Sequence, residues 1–247
     1  MHQQPVIDQP PGLVEKFDDE LYLNDRLRSM GNAFTLPKSW EVKATNDPDS
    51  LYAFIKENIP TYPIVGKPVR GRGSHGVKAT ITAMSPYPES CGYWAMAPVM
   101  RFNHDNGIAP YNETVAVTDN SRVISNELAD DPAYGMIIRQ CERVASLIKA
   151  TAPIRIDIRR FRPEAGEFAI FDVNMKPNMI GPGRPARKDQ ASSTAMAATA
   201  CGWDYTRLLQ EILKGASALE TFRQYQSPFK YRLFTHCSRY IIALSKA

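Results

Sequence analysis

Cysteine is scarce: the 247 residues hold four, Cys91, Cys141, Cys201 and Cys237, far apart, with no C-x-x-C pair and none set beside a His as in a zinc knuckle. That excludes a disulfide scaffold and predicts a reduced, cytoplasmic compartment. Long apolar runs are missing as well. The longest are strand-sized or broken by Arg, Pro or Gly, so no membrane span is expected, and the opening Met1-His2-Gln3-Gln4-Pro5 does not read as a secretion signal. No basic run exceeds two residues, and 30 Lys+Arg against 26 Asp+Glu leave a net charge of +4. Such a balance suits an anionic small molecule and falls short of a nucleic-acid footprint, so neither nucleic acid nor membrane is an expected partner. What is present, 43% hydrophobic and 23% charged residues, suffices for one or two globular domains with a sizeable core.

Pro5, Pro10 and Pro11 mark Gln3 to Gly12 as extended, within a lead-in at 1–17. The pattern from Val14 to Met30 is helical, with Gly31 as its stop. A strand at Ser39 to Val42 and a helix from Ser50 to Glu57, capped by Asn46-Asp47-Pro48-Asp49, come next. Tyr62 to Val65, Ile81 to Met84, Tyr93 to Phe102 and Thr114 to Val117 read as strands with short connections, hence an antiparallel sheet. Asp130 to Ala150 carries the clearest helical stripe, through Ile137, Cys141, Val144 and Ile148. Ile154 to Phe161 and Phe168 to Val173 are strands joined by a hairpin loop. Ala191 to Ala200 and Asp204 to Leu213 are helices, and the tail from Phe229 to Ala247 reads as a packed helix.

Two constellations carry chemistry. In the first, Lys67-Pro68-Val69-Arg70-Gly71-Arg72-Gly73-Ser74-His75-Gly76 follows a short apolar strand. Its glycines let backbone N–H groups converge on one anion, while Lys67, Arg70, Arg72 and Ser74 add charge and donors, as a polyphosphate requires. An ordinary hairpin turn is the alternative, because the spacing matches neither a Walker A loop nor a dinucleotide fingerprint. His75 could touch a phosphate from this loop.

The second constellation is Arg155-Ile156-Asp157 in one strand and Asp172-Val173-Asn174 in the next. Strand period 2 sets Arg155 and Asp157 on one face, and Asp172 and Asn174 likewise, so a hairpin gathers three oxygen ligands and one guanidinium. Hard oxygen donors of this kind suit Mg²⁺, with Mn²⁺ as a substitute, and Mg²⁺ keeps other positions for water and nucleotide phosphates. Asp157 pairing with Arg155 or Arg159 on an exposed face is the alternative. Ile154, Ile156 and Ile158 on the opposite face favour a site, since they supply the packing surface behind it. Arg184 and Arg187, in a Gly- and Pro-rich loop after the second strand, could meet a carboxylate substrate, and His104 could line the pocket. Tyr93, Trp94, Phe102 and Tyr111 read as sheet packing.

Together these residues resemble the ATP-grasp superfamily, in particular the D-alanine–D-alanine ligase branch of carboxylate–amine ligases. The resemblance runs from about Val14 to Gly215. Ile64-Val65-Gly66-Lys67-Pro68 followed by Gly71 to Gly76 is similar to the family's lysine strand and glycine-rich lid, and Arg155, Asp157, Asp172, Asn174 and Pro177 to its metal strand pair. The resemblance implies an α+β fold of two subdomains whose antiparallel sheets sandwich the nucleotide. Its parts would be a small subdomain at 18–78, a large one at 79–215 and a helical tail at 216–247. It further implies Mg-ATP, a metal held by Asp157, Asp172 and Asn174, nucleotide contacts from Lys67 and the loop Arg70 to Gly76, and Arg155 stabilising the transferred phosphoryl group. A carboxylate and an amine would be the substrates and a homodimer is compatible. A phosphotransferase or a silent nucleotide-binding module on the same fold are the alternatives.

Four departures stand against the pattern. Glu20 occupies the place of a nucleotide-binding Lys. Lys176-Pro177-Asn178 replaces Ser-Pro-Gly, which makes Asn178 a candidate substrate contact. The stretch before Asp18 is too short for the family's N-terminal α/β domain, and Val77-Lys78 runs almost directly into the strand that follows the family's adenine hinge. These gaps predict a chain shorter than the intact enzyme. A lid at Gly71 to Gly76 should resist protease in Mg-ATP and be cut without it, because lids come from the least stable part of a structure. Equal cleavage in limited proteolysis would count against a lid.

Overall fold

Side-chain caps mark where five of the described helices begin. The computed structural model describes residues 4–43, 47–59, 64–69, 79–90, 92–102, 117–124, 131–162, 166–182, 190–224 and 239–244. Helix α1 spans Pro11–Phe17, and α2, Glu20–Arg28, starts where the Asp19 carboxylate accepts the Tyr22 N–H. Asp47 caps α3 (Pro48–Asn58), Asp131 caps α4 (Pro132–Leu147), Ser192 caps α5 (Ser193–Ala200) and Asp204 caps α6 (Tyr205–Leu213). Each side-chain oxygen takes one of the orphan N–H groups of a first turn. A short α7 (Leu219–Arg223) follows. Among the described residues no helix is long and apolar enough to cross a membrane.

The strands are β1 (Pro5–Val6), β2 (Ser39–Lys43), β3 (Ile64–Pro68), β4 (Ala79–Met84), β5 (Trp94–Ala95), β6 (Val99–Arg101), β7 (Ser121–Val123), β8 (Ile154–Arg162), β9 (Glu167–Asn174), β10 (Ser217–Ala218) and β11 (Arg239–Leu244). They form an antiparallel six-stranded sheet in the order β7-β6-β4-β8-β9 with β5 on β4, a three-stranded sheet β2-β11-β3, and the pair β1-β10. One face of the large sheet, through Ile81, Ile154, Ile156, Ile158 and Ile170, packs on α4 and on Leu23 and Leu27 of α2. Part of the other face, at Met84, Met96 and Val99, is covered by Ala195 and Ala198 of α5 and Leu208 and Ile212 of α6. Around Ile59, Trp40, Val42, Phe54, Ile55 and Ile64 pack α3 on the small sheet.

The mixed helix and antiparallel-sheet class agrees with the sequence reading, but several boundaries do not. The helix expected over Val14 to Met30 is two helices, because Asp18-Asp19 stops one and caps the next. The described part of the lead-in, residues 4–17, is built into the fold. β1 pairs with β10, α1 lies within it, and the buried Gln9 side chain donates to the Ala152 carbonyl (2.6 Å) and accepts from the Thr151 N–H (3.0 Å). The expected boundary at residue 18 also moves, since Phe17, Leu23, Leu27 and Phe34 belong to the core of the large sheet. Tyr93 to Phe102 is two short strands interrupted before Val99 by Pro98, which has no N–H for a ladder. Of Thr114 to Val117, only Val117 is described, and it opens a 3₁₀ turn to Asn120.

The tail departs furthest. In place of a helical 216–247, the described part holds β10, α7 and β11. Strand β11 sits between β2 and β3, with Ile242 opposite both Trp40 and Gly66, so two strands that do not touch each other share a central partner from the far end of the chain. Tyr240, Ile241 and Ile242 are strand formers, and the two waiting edges outweigh the tail's weak helical pattern.

Asp131 both caps α4 and binds Arg160 at 2.5 Å, and the Arg160 guanidinium lies 4.5 Å from the Phe168 ring centroid. The Arg160 hydrogen bond, with the Ala133 N–H second, holds the Asp131 carboxyl below the usual carboxylate range. A depressed folded value means stability that is complete above the ordinary carboxylate pKa of about 4 and lost as pH falls through the lower folded value. Asp131→Ala should therefore cost about 1–2 kcal/mol near neutral pH and progressively less in acid, read from denaturant unfolding at several pH values.

Candidate active site

Strands β8 and β9 build the site by pairing Arg155 with Asn174 and Asp157 with Asp172. Opposed residues of an antiparallel pair share a face, so these four polar side chains stand together. Their strands fold this way because Ile154, Ile156 and Ile158 of β8 and Ile170, Val173 and Met175 around β9 fill the core on the reverse face. The core positions of β9 step from Phe168 to Ile170 by two and from Ile170 to Val173 by three. The irregular step is a β-bulge: Asp157 faces Asp172, Ile158 faces Ile170, and Phe171 is the extra residue between them.

The neighbouring strands extend the polar face. Thr80 and Thr82 of β4 stand opposite Asp157 and Arg155, and Thr80 also faces Val99 of β6, which puts Arg101 on the same side. Asp157 is 2% exposed and its carboxylate takes two hydrogen bonds from Arg155, Nε–Oδ1 at 2.9 Å and Nη2–Oδ2 at 3.3 Å. The Thr82 and Thr194 hydroxyls share a buried hydrogen bond of 2.9 Å, tying the first turn of α5 to the strand beside Arg155. Arg101 is buried, and half-buried Arg159 falls two residues beyond Asp157 on this face. Burial pulls the Arg159 guanidinium pKa down. The face thus offers three guanidiniums and two carboxylates, a setting for an anionic ligand with a bound cation.

The coil after β9 is held locally. The Asn174 side-chain oxygen accepts the Lys176 N–H at 2.9 Å, the Asn178 oxygen accepts the Ile180 N–H at 2.9 Å, and the Ile180 carbonyl accepts the Ser192 N–H at 2.7 Å. Gly181 packs so closely on Tyr205 that an added Cβ would stand 2.3 Å from the ring, so only glycine fits there. Asn178 is exposed, and its side-chain oxygen closes its own turn.

Of the residues singled out in the sequence, Arg155, Asp157, Asp172 and Asn174 are brought together. Lys67 lies in β3, its backbone opposite Ile241 of β11. Arg70, Gly71, Arg72, Gly73, Ser74, His75, Gly76, His104, Arg184 and Arg187 lie outside the described residues. The sequence reading missed Thr80, Thr82, Thr194 and Arg101. The alternation Thr80-Ile81-Thr82 carries a signal for the first two, matching the polar and apolar faces of β8. No pattern marks Arg101 or Thr194, which arrive from other elements.

Among the described residues no group of three or more His, Cys, Asp or Glu gathers as a metal centre. The donor chemistry nevertheless fits Mg²⁺, which needs only one or two carboxylates and keeps water and phosphate oxygens in its remaining positions. Asp172 and Asn174 are half-buried and flank the buried Asp157, and the buried Thr80 hydroxyl has no hydrogen-bond partner among the described residues.

No protein-family model and no curated protein sequence matches the chain. Solved structures do. A D-alanine–D-alanine ligase from Bacillus anthracis complexed with ATP aligns with a TM-score of 0.55 and 15% identity, covering 88% of this chain and 70% of that one. The VanG D-Ala:D-Ser ligase from Enterococcus faecalis gives 0.59 and 16%, covering 84% and 64%. The D-alanine–D-alanine ligase from Coxiella burnetii gives 0.60 and 10%, covering 90% and 63%. The chain has the ATP-grasp fold of these ligases over roughly two thirds of their length.

The Arg155–Asp157 pair is buried deeply enough that breaking it should be costly. Arg155→Met leaves a carboxylate uncompensated at 2% exposure and should destabilise by about 3–5 kcal/mol in urea unfolding. Adding Asp157→Asn to it should return much of the loss. A loss under about 1 kcal/mol for Arg155→Met would mean that water solvates Asp157 and the pair is ornamental to stability.

Proposed function

We propose that the chain is an ATP-dependent ligase that joins a carboxylate to an amine through an acyl-phosphate, with ATP going to ADP and phosphate. The observation that carries this reading is the register of β8 on β9, which sets Arg155, Asp157, Asp172 and Asn174 on one face of the large sheet. The fold it shares with ATP-dependent ligases supports the same reading.

Asp157, Asp172 and Asn174 would hold Mg²⁺, which when bound neutralises charge on the nucleotide phosphates. The chain's residues account for the rest. Arg155, whose Nε and Nη2 bind Asp157 in this structure, would turn its planar fork of donors to the oxygens of the group in transfer, in a face from which water is largely excluded. Lys67 and the loop Arg70 to Gly76 would hold the nucleotide phosphates. The substrate carboxylate oxygen attacks the γ-phosphorus as the bond to the β-phosphate oxygen breaks. The amine then adds to the acyl carbon, gives up its proton and displaces phosphate. Positioning and electrostatics supply the rate, so no nucleophilic side chain is needed.

A screen of small carboxylates and amino acids for ADP release tests this. ADP and phosphate should appear together only when an acid and an amine are both supplied; phosphate left on an acceptor would make the chain a kinase instead. Asp172→Asn should abolish ADP formation with melting temperature unchanged, because a half-buried strand-end residue has little packing role. Undiminished turnover in that variant would remove Asp172 from the site.

A further inference from the structure

Thr80 is 1% exposed, and its hydroxyl has no hydrogen-bond partner among the described residues. The β4–β8 register puts it directly opposite Asp157, where the Cβ atoms of such a pair are about 5 Å apart and a hydroxyl reaches a carboxylate. Thr82, its neighbour on the same face, uses its hydroxyl on Thr194. Asp157 has both oxygens turned to Arg155. Beside the buried Asp157 carboxylate and the Arg155 guanidinium that covers it, the face therefore holds in Thr80 a buried hydroxyl with no hydrogen-bond partner among the described residues.

That surplus donor is costly in the state described, since a buried polar group without a partner loses its hydration and gains nothing. It acquires a use when Arg155 moves. A guanidinium drawn toward a phosphoryl group, as the proposed function requires, would strip Asp157 of its partner while the carboxylate remains at 2% exposure. Thr80 is already in place to donate to it.

We propose that Thr80 is a positioning residue, whose hydroxyl takes over the Asp157 carboxylate when Arg155 leaves it for the transferring phosphoryl group. The hydroxyl proton then binds one Asp157 oxygen and leaves the other directed at the cation. This rests on the phosphoryl-transfer reading for the movement of Arg155 and for the cation at Asp157.

The test is made on the full chain with Thr80→Val, nearly the same shape without the hydroxyl, and Thr80→Ser, which keeps the hydroxyl. Two quantities are measured: the Mg²⁺ concentration needed for half-maximal binding of a non-hydrolysable ATP analogue, and the melting temperature without ligand. Thr80→Val should melt at or above wild type, because it deletes an unused buried donor. Its Mg²⁺ requirement should rise about tenfold, the scale for losing a group that orients a metal ligand. Thr80→Ser should bind Mg²⁺ like wild type. An unchanged Mg²⁺ requirement in the Val variant, a Ser variant as impaired as the Val one, or a Val variant that melts well below wild type would each overturn this inference alone. A wild-type chain whose analogue binding does not depend on Mg²⁺ would overturn the phosphoryl-transfer reading and this inference with it.

Discussion

Beside the polar cluster, the pairing of β8 with β9 carries an extra residue of β9, Phe171, and the placement of Asp172 and Asn174 follows from it. With Asp157 opposite Asp172 and no bulge, Ile158 would meet Phe171 and Arg159 would meet Ile170. Phe168 and Ile170 would then turn out of the core, at roughly 1.5–3 kcal/mol each. Keeping them inside without the bulge would instead drive Asp172 and Asn174 into the apolar face, where a carboxylate has no partner. A one-residue slip exchanges the two faces of a strand completely, and the bulge is what lets β9 serve the core with Phe168, Ile170 and Val173 and the site with Asp172 and Asn174.

The reverse side of the sheet makes this arrangement rigid. Ile154, Ile156 and Ile158 are fully buried against α4 and the α2 segment, so β8 cannot twist or slide without opening the core. On the site side, the Thr82–Thr194 hydrogen bond and the small residues of α5 hold that helix close to β4. Arg155 and Asp157 form a largely buried charge pair on this face, Nε–Oδ1 2.9 Å.

The small sheet is governed by a different constraint. β2 and β3 come early in the chain and do not pair with one another; β11, from the far end, lies between them and hydrogen-bonds to both. The strand bearing Lys67 therefore owes its ladder to residues more than 170 positions later. Early and late segments also meet in the separate pair β1–β10, and Gln9 binds the backbone of Thr151 and Ala152 beyond α4.

Local pattern was enough for the site's centre and for most elements. Arg155-Ile156-Asp157 and Asp172-Val173-Asn174 declare their faces through alternation, Asp131-Pro132 announces a helix start, and Asp204 a second one, because caps and strand periods act over a few residues. The resemblance to ATP-grasp ligases was legible for the same reason: its motifs are short, and Lys67, Arg155-Ile156-Asp157 and Asp172-Val173-Asn174 each lie on one strand. Tertiary structure alone decided three things. The bulge at Phe171 reconciles β9 with a core it meets only on folding. The strand identity of Arg239–Leu244 depends on two distant edges waiting for it, against a weak local preference. The recruitment of Thr80, Thr194 and Arg101 to the face of Asp157 depends on which strands and helices become neighbours. Sequence determines what each segment can offer to a partner, and only the packed fold determines which partner takes it.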